Sequence, residues 1–296
     1  IMRIANQSIY DGITARLIAT SDALQKANEI VSSGKRINHL SDDPVGLVQV
    51  LGLRSALSSM AQLQKNIATG RTWLNAGETA LESVKELISD AKVLGLQMAN
   101  GTVSAAEREA AAGQVNGILE QIVSLSNTQV NGQYLFSGTK TDVKPFEISY
   151  TAEDPTGVDY LGNGNPFAIR IGKDMDVPVG HDGKAVFGEV FQNLIDLRDA
   201  LQNNDVDGIS GSIPKLDVDF GRVINTVSGI GARGVRLDVK EKIIEDLNLS
   251  YQERKSDLED ADMLEAISEL RARETAYEAA LSSSAQVMRM SLLDYL

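Results

Sequence analysis

Two pairs of carboxylates carry the chemistry this sequence could do. Asp42-Asp43 and Asp260-x-Asp262 stand near opposite ends of a 296-residue chain. Brought together, four such acids would offer a hard cation the all-oxygen ligand set it takes. The structural reading of the same residues is preferred. Ser41-Asp42-Asp43-Pro44 is a helix start signal, with three N-cap side chains ahead of a proline whose missing N–H costs nothing at the first helical position. The second pair then lies on a solvated face or pairs with Lys35 and Arg36. His39 and His181, the only histidines, are far apart in the chain and lack ligand spacing. No His-Glu-x-x-His, phosphate-loop or Gly-x-Ser-x-Gly pattern occurs. Gly162-Asn163-Gly164-Asn165 sits between strand-forming runs as a turn, and Trp73 reads as packing. No catalytic, cofactor-binding or metal-ligating residue is assigned, and the chain reads as non-enzymatic.

Composition narrows the partners. A net charge of −13 and a pI near 4.7 oppose nucleic-acid binding, which needs a basic footprint. No apolar run reaches the roughly 18 residues of a membrane span, so no membrane insertion is expected. The N-terminus lacks the basic-then-apolar pattern of a cleaved secretory signal. With no cysteine, disulfides and thiolate metal sites are impossible, which suits a cytosolic protein or one exported unfolded. Aromatics make up only 5%, so long helices with thin, small-residue seams are expected rather than a large globular core.

The elements that would position these residues are mostly helical. Ile13, Leu17, Thr20, Leu24, Ala27 and Val31 follow a 4-3-4-3-4 spacing, a coiled-coil seam. Ser32-Ser33-Gly34 ends that helix, and the next starts at Pro44, so residues 34–46 form a joint holding Lys35, Arg36, Asp42 and Asp43. Val50, Leu53, Leu57, Met60, Ile67, Leu74, Leu81 and Ile88 carry a second helix to about Ala99, on the order of 80 Å at 1.5 Å per residue. Ser104-Ala-Ala-Glu107 is a capping box opening a third, antiparallel to it. Between Ser137 and Gly183, short β-prone runs at 146–150, 158–161, 167–171 and 175–179 predict an all-β insertion of about 45 residues that leans on the helices or on a neighbour. Helical periodicity resumes at Val186 and again near Ser212-Ile213-Pro214. Gly229, Gly231 and Gly234 are expected to loosen the chain, with one long helix from 235 to 296 striped by Ile267, Leu270, Tyr277, Leu281, Met288, Leu292 and Tyr295.

The fold class is therefore mainly α: a long antiparallel helical rod with terminal coiled-coil helices, plus a small all-β insertion domain. The domains expected are a terminal coiled-coil assembly domain (1–42 with 260–296), a helical rod (43–137 with 184–259) and the insertion (138–183). The assembly seam comprises Ile13, Leu17, Leu24, Val31, Ile267, Leu270, Tyr277, Leu281, Met288 and Tyr295. The inter-domain joint comprises Gly34, Lys35, Arg36, Asp42, Asp43, Pro44, Gly46, Asp260 and Asp262. Pairing the two terminal helices still leaves Ala- and Ser-rich faces bare, and ordering each residue costs roughly 1–2 kcal/mol. The termini are therefore expected to be disordered in the monomer and to become helical on assembly.

These motifs resemble those of the bacterial flagellin superfamily. Ser32-Ser33-Gly34-Lys35-Arg36-Ile37-Asn38 with Ser41-Asp42-Asp43-Pro44-Val45-Gly46 looks like its N-terminal signature. Ile230-Gly231-Ala232-Arg233 with Leu237, and Asp260-Ala261-Asp262-Met263-Leu264-Glu265, look like its C-terminal ones. Asn127 to Gly138, containing Gly132-Gln133-Tyr134-Leu135-Phe136-Ser137-Gly138, followed by Pro145-Phe146, looks most like the hook-associated protein 3 branch. The resemblance implies a secreted structural adaptor at the hook–filament junction, exported through the flagellar apparatus without a cleaved signal. It implies a homo-oligomeric ring, hook-associated protein 1 and flagellin as neighbours, and an export chaperone before secretion. A filament flagellin subunit is the alternative, and a carboxylate-based metal enzyme a remote one. Flagellins recognised by the innate-immune receptor carry Arg-Glu-Leu where this chain has Lys92-Val93-Leu94, so immune recognition is not implied.

Overall fold

The computed structural model describes residues 2–151 and 154–293, with side chains described for 10–150 and 155–286. Seven helices and six strands follow one another among them: α1 (Met2–Ser33), α2 (Pro44–Met98), α3 (Ala105–Ser126), β1 (Gln129–Val130), β2 (Gln133–Tyr134), β3 (Phe146–Thr151), β4 (Asp154–Tyr160), β5 (Ala168–Gly172), β6 (Met175–Pro178), α4 (Gly183–Phe187), α5 (Val190–Gln202), α6 (Val206–Glu259) and α7 (Met263–Leu293). They form two compact units, Ile1–Met60 with Asp246–Leu296, and Ala61–Glu245.

In the larger unit, α2 turns two heptad rows inward. Ile67, Leu74, Leu81 and Ile88 are buried, and so are the small residues Gly70, Gly77, Val84 and Ala91 beside them. α6 answers with Ile209, Leu216, Val223, Ile230, Leu237 and Ile244, each seven residues from the last and at most 2% exposed. A strict 3.5-residue period keeps such rows on a shared seam. The pairing is antiparallel. Arg71 reaches Asp238 and Glu241 at 2.5 Å, Lys92 pairs with Asp217, and a Cβ on Gly77 would lie 3.7 Å from Ile230.

The helix starts follow the expected chemistry. Asp43 caps α2, its Oδ1 accepting from the Gly46 N–H at 2.8 Å, and Pro44 is the first helical residue. Ser104 and Glu107 form the capping box of α3, which packs along α5. Buried Arg108 joins the start of α3 to the end of α2 by donating to the Met98 and Asn100 carbonyls, both at 2.9 Å. The helix ends at Ser126, before the Asn131-Gly132 pair expected to close it. Asn131 and Gly132, with φ of 52° and 79°, instead turn the two-residue β1–β2 hairpin.

The insertion consists of separate antiparallel hairpins, β3–β4 and β5–β6, at the positions the β-prone runs predict. It leans on α2: Trp73 meets Phe167 with ring centroids 5.0 Å apart, and Asn66 donates to the Arg170 carbonyl at 2.8 Å. Four of the chain's six phenylalanines, Phe136, Phe146, Phe187 and Phe191, gather in one cluster with centroids 5.1–5.6 Å apart. The small aromatic content is thus concentrated where the hairpins meet the helices, a core that the low average hides.

Two expectations about the C-terminal half are corrected. The helix expected from Val186 to Leu201 is two, because Gly188 takes a φ of 52° between α4 and α5. More substantially, Pro214 and the Gly229–Gly234 stretch do not interrupt the chain. α6 runs through both, starting eight residues before Pro214, with Asp205 accepting from the Gly208 N–H at 3.0 Å. The three glycines point outward, with nothing within 4 Å of a Cβ, and each costs about 1 kcal/mol against alanine. Full burial of each of Val223, Ile230 and Leu237 contributes about 1.5–3 kcal/mol, so the seam prevails over propensity. The break in the expected 235–296 helix falls at 260–262, between α6 and α7.

Candidate functional site

The smaller unit contains both the joint and the terminal helix pair. Gly34, at φ 69°, ends α1 in the left-handed conformation that glycine adopts without penalty. The following chain crosses the end of α6. The Arg36 N–H donates to the Glu259 carbonyl at 2.7 Å, the Ala261 N–H to the Gly34 carbonyl at 3.0 Å, and the Arg36 guanidinium to the Leu258 carbonyl at 3.0 Å. Lys35 and Asp260 face one another as an isolated antiparallel bridge.

At the centre lies Glu259, whose side chain is 1% exposed; Lys35 and Arg54 both reach its Oε1 at 2.5 Å. Burial alone would raise its pKa, but the hydrogen bonds from Lys35 and Arg54 outweigh that and hold it below the ordinary glutamate value. Asp42 does not cap a helix. Its Oδ2 accepts from the Asn38 and His39 N–H groups at 3.1 and 2.9 Å, and Lys26 of α1 lies 2.7 Å from its Oδ1. Lys26, then the two backbone donors, pull its pKa down to about 2. Gly46 is buried, and a Cβ there would strike the Asp43 carboxylate and Ile37.

The four carboxylates have separate tasks. Asp43 caps α2, Asp42 closes the loop, and Asp262 caps α7 by accepting from the Leu264 N–H at 2.8 Å. Asp260 accepts from the Ser256 hydroxyl. The partner of Lys35 is therefore Glu259 rather than Asp260 or Asp262. Reasoning from sequence missed Glu259 and Arg54. Arg54 did carry a signal, being the only charged residue between Pro44 and Gln64. Glu259 was hidden among the many acids of α6. Among the described residues no group of three or more His, Asp or Glu side chains is placed to hold a metal ion. His39 pairs with Glu29 at 2.9 Å.

α1 packs along α7. On α1, Ile13, Leu17, Leu24 and Val31 are half-buried and Ala27 is buried. On α7 the covered positions are Ala266, Leu270, Tyr277, Ala280 and Ser284. Ile267 and Leu281, both expected in the seam, stand one position aside, 39% and 45% exposed, and Ile18 of α1 is 56% exposed. Tyr295 and the side chain of Met288 lie outside the described residues. The helices do not fill the space between them: a groove of about 480 Å³ is lined by Ile13, Leu17, Thr20, Ala280 and Ser284, among others. Two-in-seven seams of small residues leave this pair thin, with apolar side chains facing outward.

Comparison with known proteins matches both helical ends of the chain. The bacterial flagellin N-terminal helical region matches residues 4–141, and the bacterial flagellin C-terminal helical region matches residues 215–296. The flagellar hook-associated protein 3 of Salmonella typhimurium is 30% identical over 197 residues, 66% of this chain and 59% of that protein. Its Escherichia coli namesake is 25% identical over 98% of both chains. The fold resembles a putative flagellar hook-associated protein from Vibrio parahaemolyticus, with a TM-score of 0.67 at 24% identity, covering 74% of this chain and all of that one. With its joint, terminal helices and both helical regions accounted for in one pattern, the chain belongs to the bacterial flagellin family.

Proposed function

We propose that this chain is a non-catalytic structural adaptor of the bacterial flagellum that assembles where the hook meets the filament. The observation carrying this reading is the α1–α7 pair, with an unfilled groove between its helices and Ile18, Ile267 and Leu281 exposed on its surface. Such a pair gains its missing apolar cover from neighbouring subunits. Family membership and the full-length match to a hook-associated protein support the same assignment.

In this reading residues 1–42 and 260–296 form the assembly domain, 43–137 with 184–259 the rod, and 138–183 an outward insertion. The chain passes through the flagellar export route with an export chaperone and joins a ring of its own copies. Hook-associated protein 1 lies on one side of the ring and flagellin on the other. Terminal folding is coupled to association, so the seam is completed when neighbours arrive. The joint clamped on Glu259 sets where the assembly helices leave the rod.

Deletion of the gene in its own bacterium tests this. Hooks are expected intact while unpolymerised flagellin appears in the medium, and normal filaments in the deletion overturn the proposal. Purified protein that polymerises alone into long helical tubes identifies a filament subunit instead.

A further inference from the structure

α6 carries a positive island on an acidic protein. Between Phe220 and Leu237 there are three arginines, Arg222, Arg233 and Arg236, and no carboxylate, although the chain has 41 acids to 28 bases. Arg222 is satisfied by Asp219 at 2.7 Å. Arg233 and Arg236 make no hydrogen bond or ion pair among the described residues; burial, then the neighbouring Arg236, lowers the pKa of Arg233. Arg222, Thr226, Gly229, Arg233 and Arg236 follow a 4-3-4-3 spacing, one side of the helix.

That side opens into a cleft of about 660 Å³, walled by Arg222, Asn225, Thr226, Gly229 and Arg233 on α6 and by Gly180, His181, Asp182, Ala185 and Val186 opposite. His181 lines it, is 4% exposed, and has no hydrogen-bond partner at Nε2. Asp182, the one carboxylate lining the cleft, accepts from the Lys184 N–H at 3.0 Å. In the cleft, then, Arg222 is paired, Arg233 has no acid of its own, and Asp182 supplies one carboxylate.

The complementary surface is on the same unit. Glu78, Glu82, Glu86 and Asp90 of α2 are four residues apart; the row begins on the flank of the buried Leu74 and Leu81 and turns to the opposite side of the helix by Glu86 and Asp90. Glu82 pairs with Lys85, whereas Glu78, Glu86 and Asp90 are exposed and have no ion pair among the described residues. Since Gly77 lies opposite Ile230 and Lys92 opposite Asp217, the acidic row runs alongside residues 217–230 of α6: Arg222 stands beside it, and Arg233 and Arg236 lie past its Glu78 end.

We infer that the arginine-walled cleft of α6 is a docking surface for the Glu78–Asp90 row of a second copy of this chain. The contact is heterologous, acid row to arginine row, the type that repeats around a ring or along a helix. The inference rests on the self-assembly proposed above and specifies its lateral contact.

The chain has no cysteine of its own, so single cysteines report cleanly. Thr226→Cys and Glu86→Cys chains are co-expressed in the deletion strain, and isolated flagella are treated with a short bismaleimide. A cross-linked pair containing one chain of each kind is expected. Arg233→Glu with Arg236→Glu, and separately Glu82→Lys with Glu86→Lys, are each expected to cut incorporation at least tenfold, and all four changes in one chain to restore it. Incorporation of the single-surface variants at wild-type level, or no mixed cross-link in flagella that contain both chains, overturns the inference and leaves the self-assembly reading standing. Absence of the wild-type chain from flagella overturns both. Circular dichroism of the purified variants separates misfolding from lost docking, and rescue by the four-change chain excludes a purely structural defect.

Discussion

The ammonium of Lys35 lies 2.5 Å from the buried carboxylate of Glu259, joining the residue after the first helix break to the last residue of α6. Arg54 approaches the same oxygen, so one acid balances two cations from separate segments. Glu259→Gln keeps the shape and removes the charge. A loss of about 1–3 kcal/mol is expected, the range for removing one partner from a hydrogen-bonded charged group, with the exposed ends of Lys35 and Arg54 moderating it. Faster hydrogen exchange at the Arg36 amide, which bonds the Glu259 carbonyl, measures it.

Gly46 leaves no room for a methyl group. Gly46→Ala is expected to push Asp43 off its capping position or displace Ile37, at a cost of about 1–3 kcal/mol. Gly34→Ala, with open space around it but a φ of 69°, costs about 1 kcal/mol by backbone strain alone. Denaturant melts of the two variants rank them in that order, and equal midpoints contradict it.

His181 gives the fold an acid-sensitive point. Burial, then the nearby Arg233, lowers its pKa from 6.5 to about 4. The folded state therefore binds this proton less readily than the unfolded state. The stability contribution is fully present above pH 6.5 and is lost as pH falls through the interval down to about 4. The linked term is on the order of 3 kcal/mol. Urea unfolding at pH 7, 5.5 and 4.5 is expected to show that slope in the wild type and a flatter one in His181→Gln.

The terminal seam separates folding from assembly. Leu281 is 45% exposed, so Leu281→Asp leaves the melting temperature of the monomer within a few degrees while blocking entry into flagella. Leu24→Asp places a charge in the half-buried α1 face and is likewise expected to spare the resistant middle while blocking incorporation. Incorporation of Leu281→Asp at the wild-type level contradicts an assembly role for that face. Limited proteolysis of the monomer is expected to remove roughly the first and last 35–45 residues and leave a resistant middle.

The patterns legible in the sequence were those set by local chemistry. Pro44 after Asp43, the Ser104–Glu107 capping box and the four β-prone runs each act within a few residues, and each stands where its chemistry places it. Elements decided by distant partners were harder to read. The glycines of α6 advertise a loose segment, and only the buried heptad of Leu216, Val223, Ile230 and Leu237 against α2 holds it helical. At the joint, Gly34 and the Asp pair were visible as a break. Glu259 was not, because its role depends on Lys35 and Arg54 arriving from the other end of the chain. The aromatic cluster escaped notice because four phenylalanines from separate stretches meet only in the folded unit.

The outward glycines of α6 have a consequence for how this molecule comes apart. Gly221, Gly229, Gly231 and Gly234 together weigh about 4 kcal/mol against a free-standing helix, so the middle of α6 is helical on loan from α2. Once the seam is peeled, that stretch has no reason to stay coiled, and the segment becomes slack chain in a single step. Under an unfolding force the molecule is therefore expected to give way at that seam first. Its longest helices yield to a pull at the seam and reform only when the two strands of the heptad ladder find one another again.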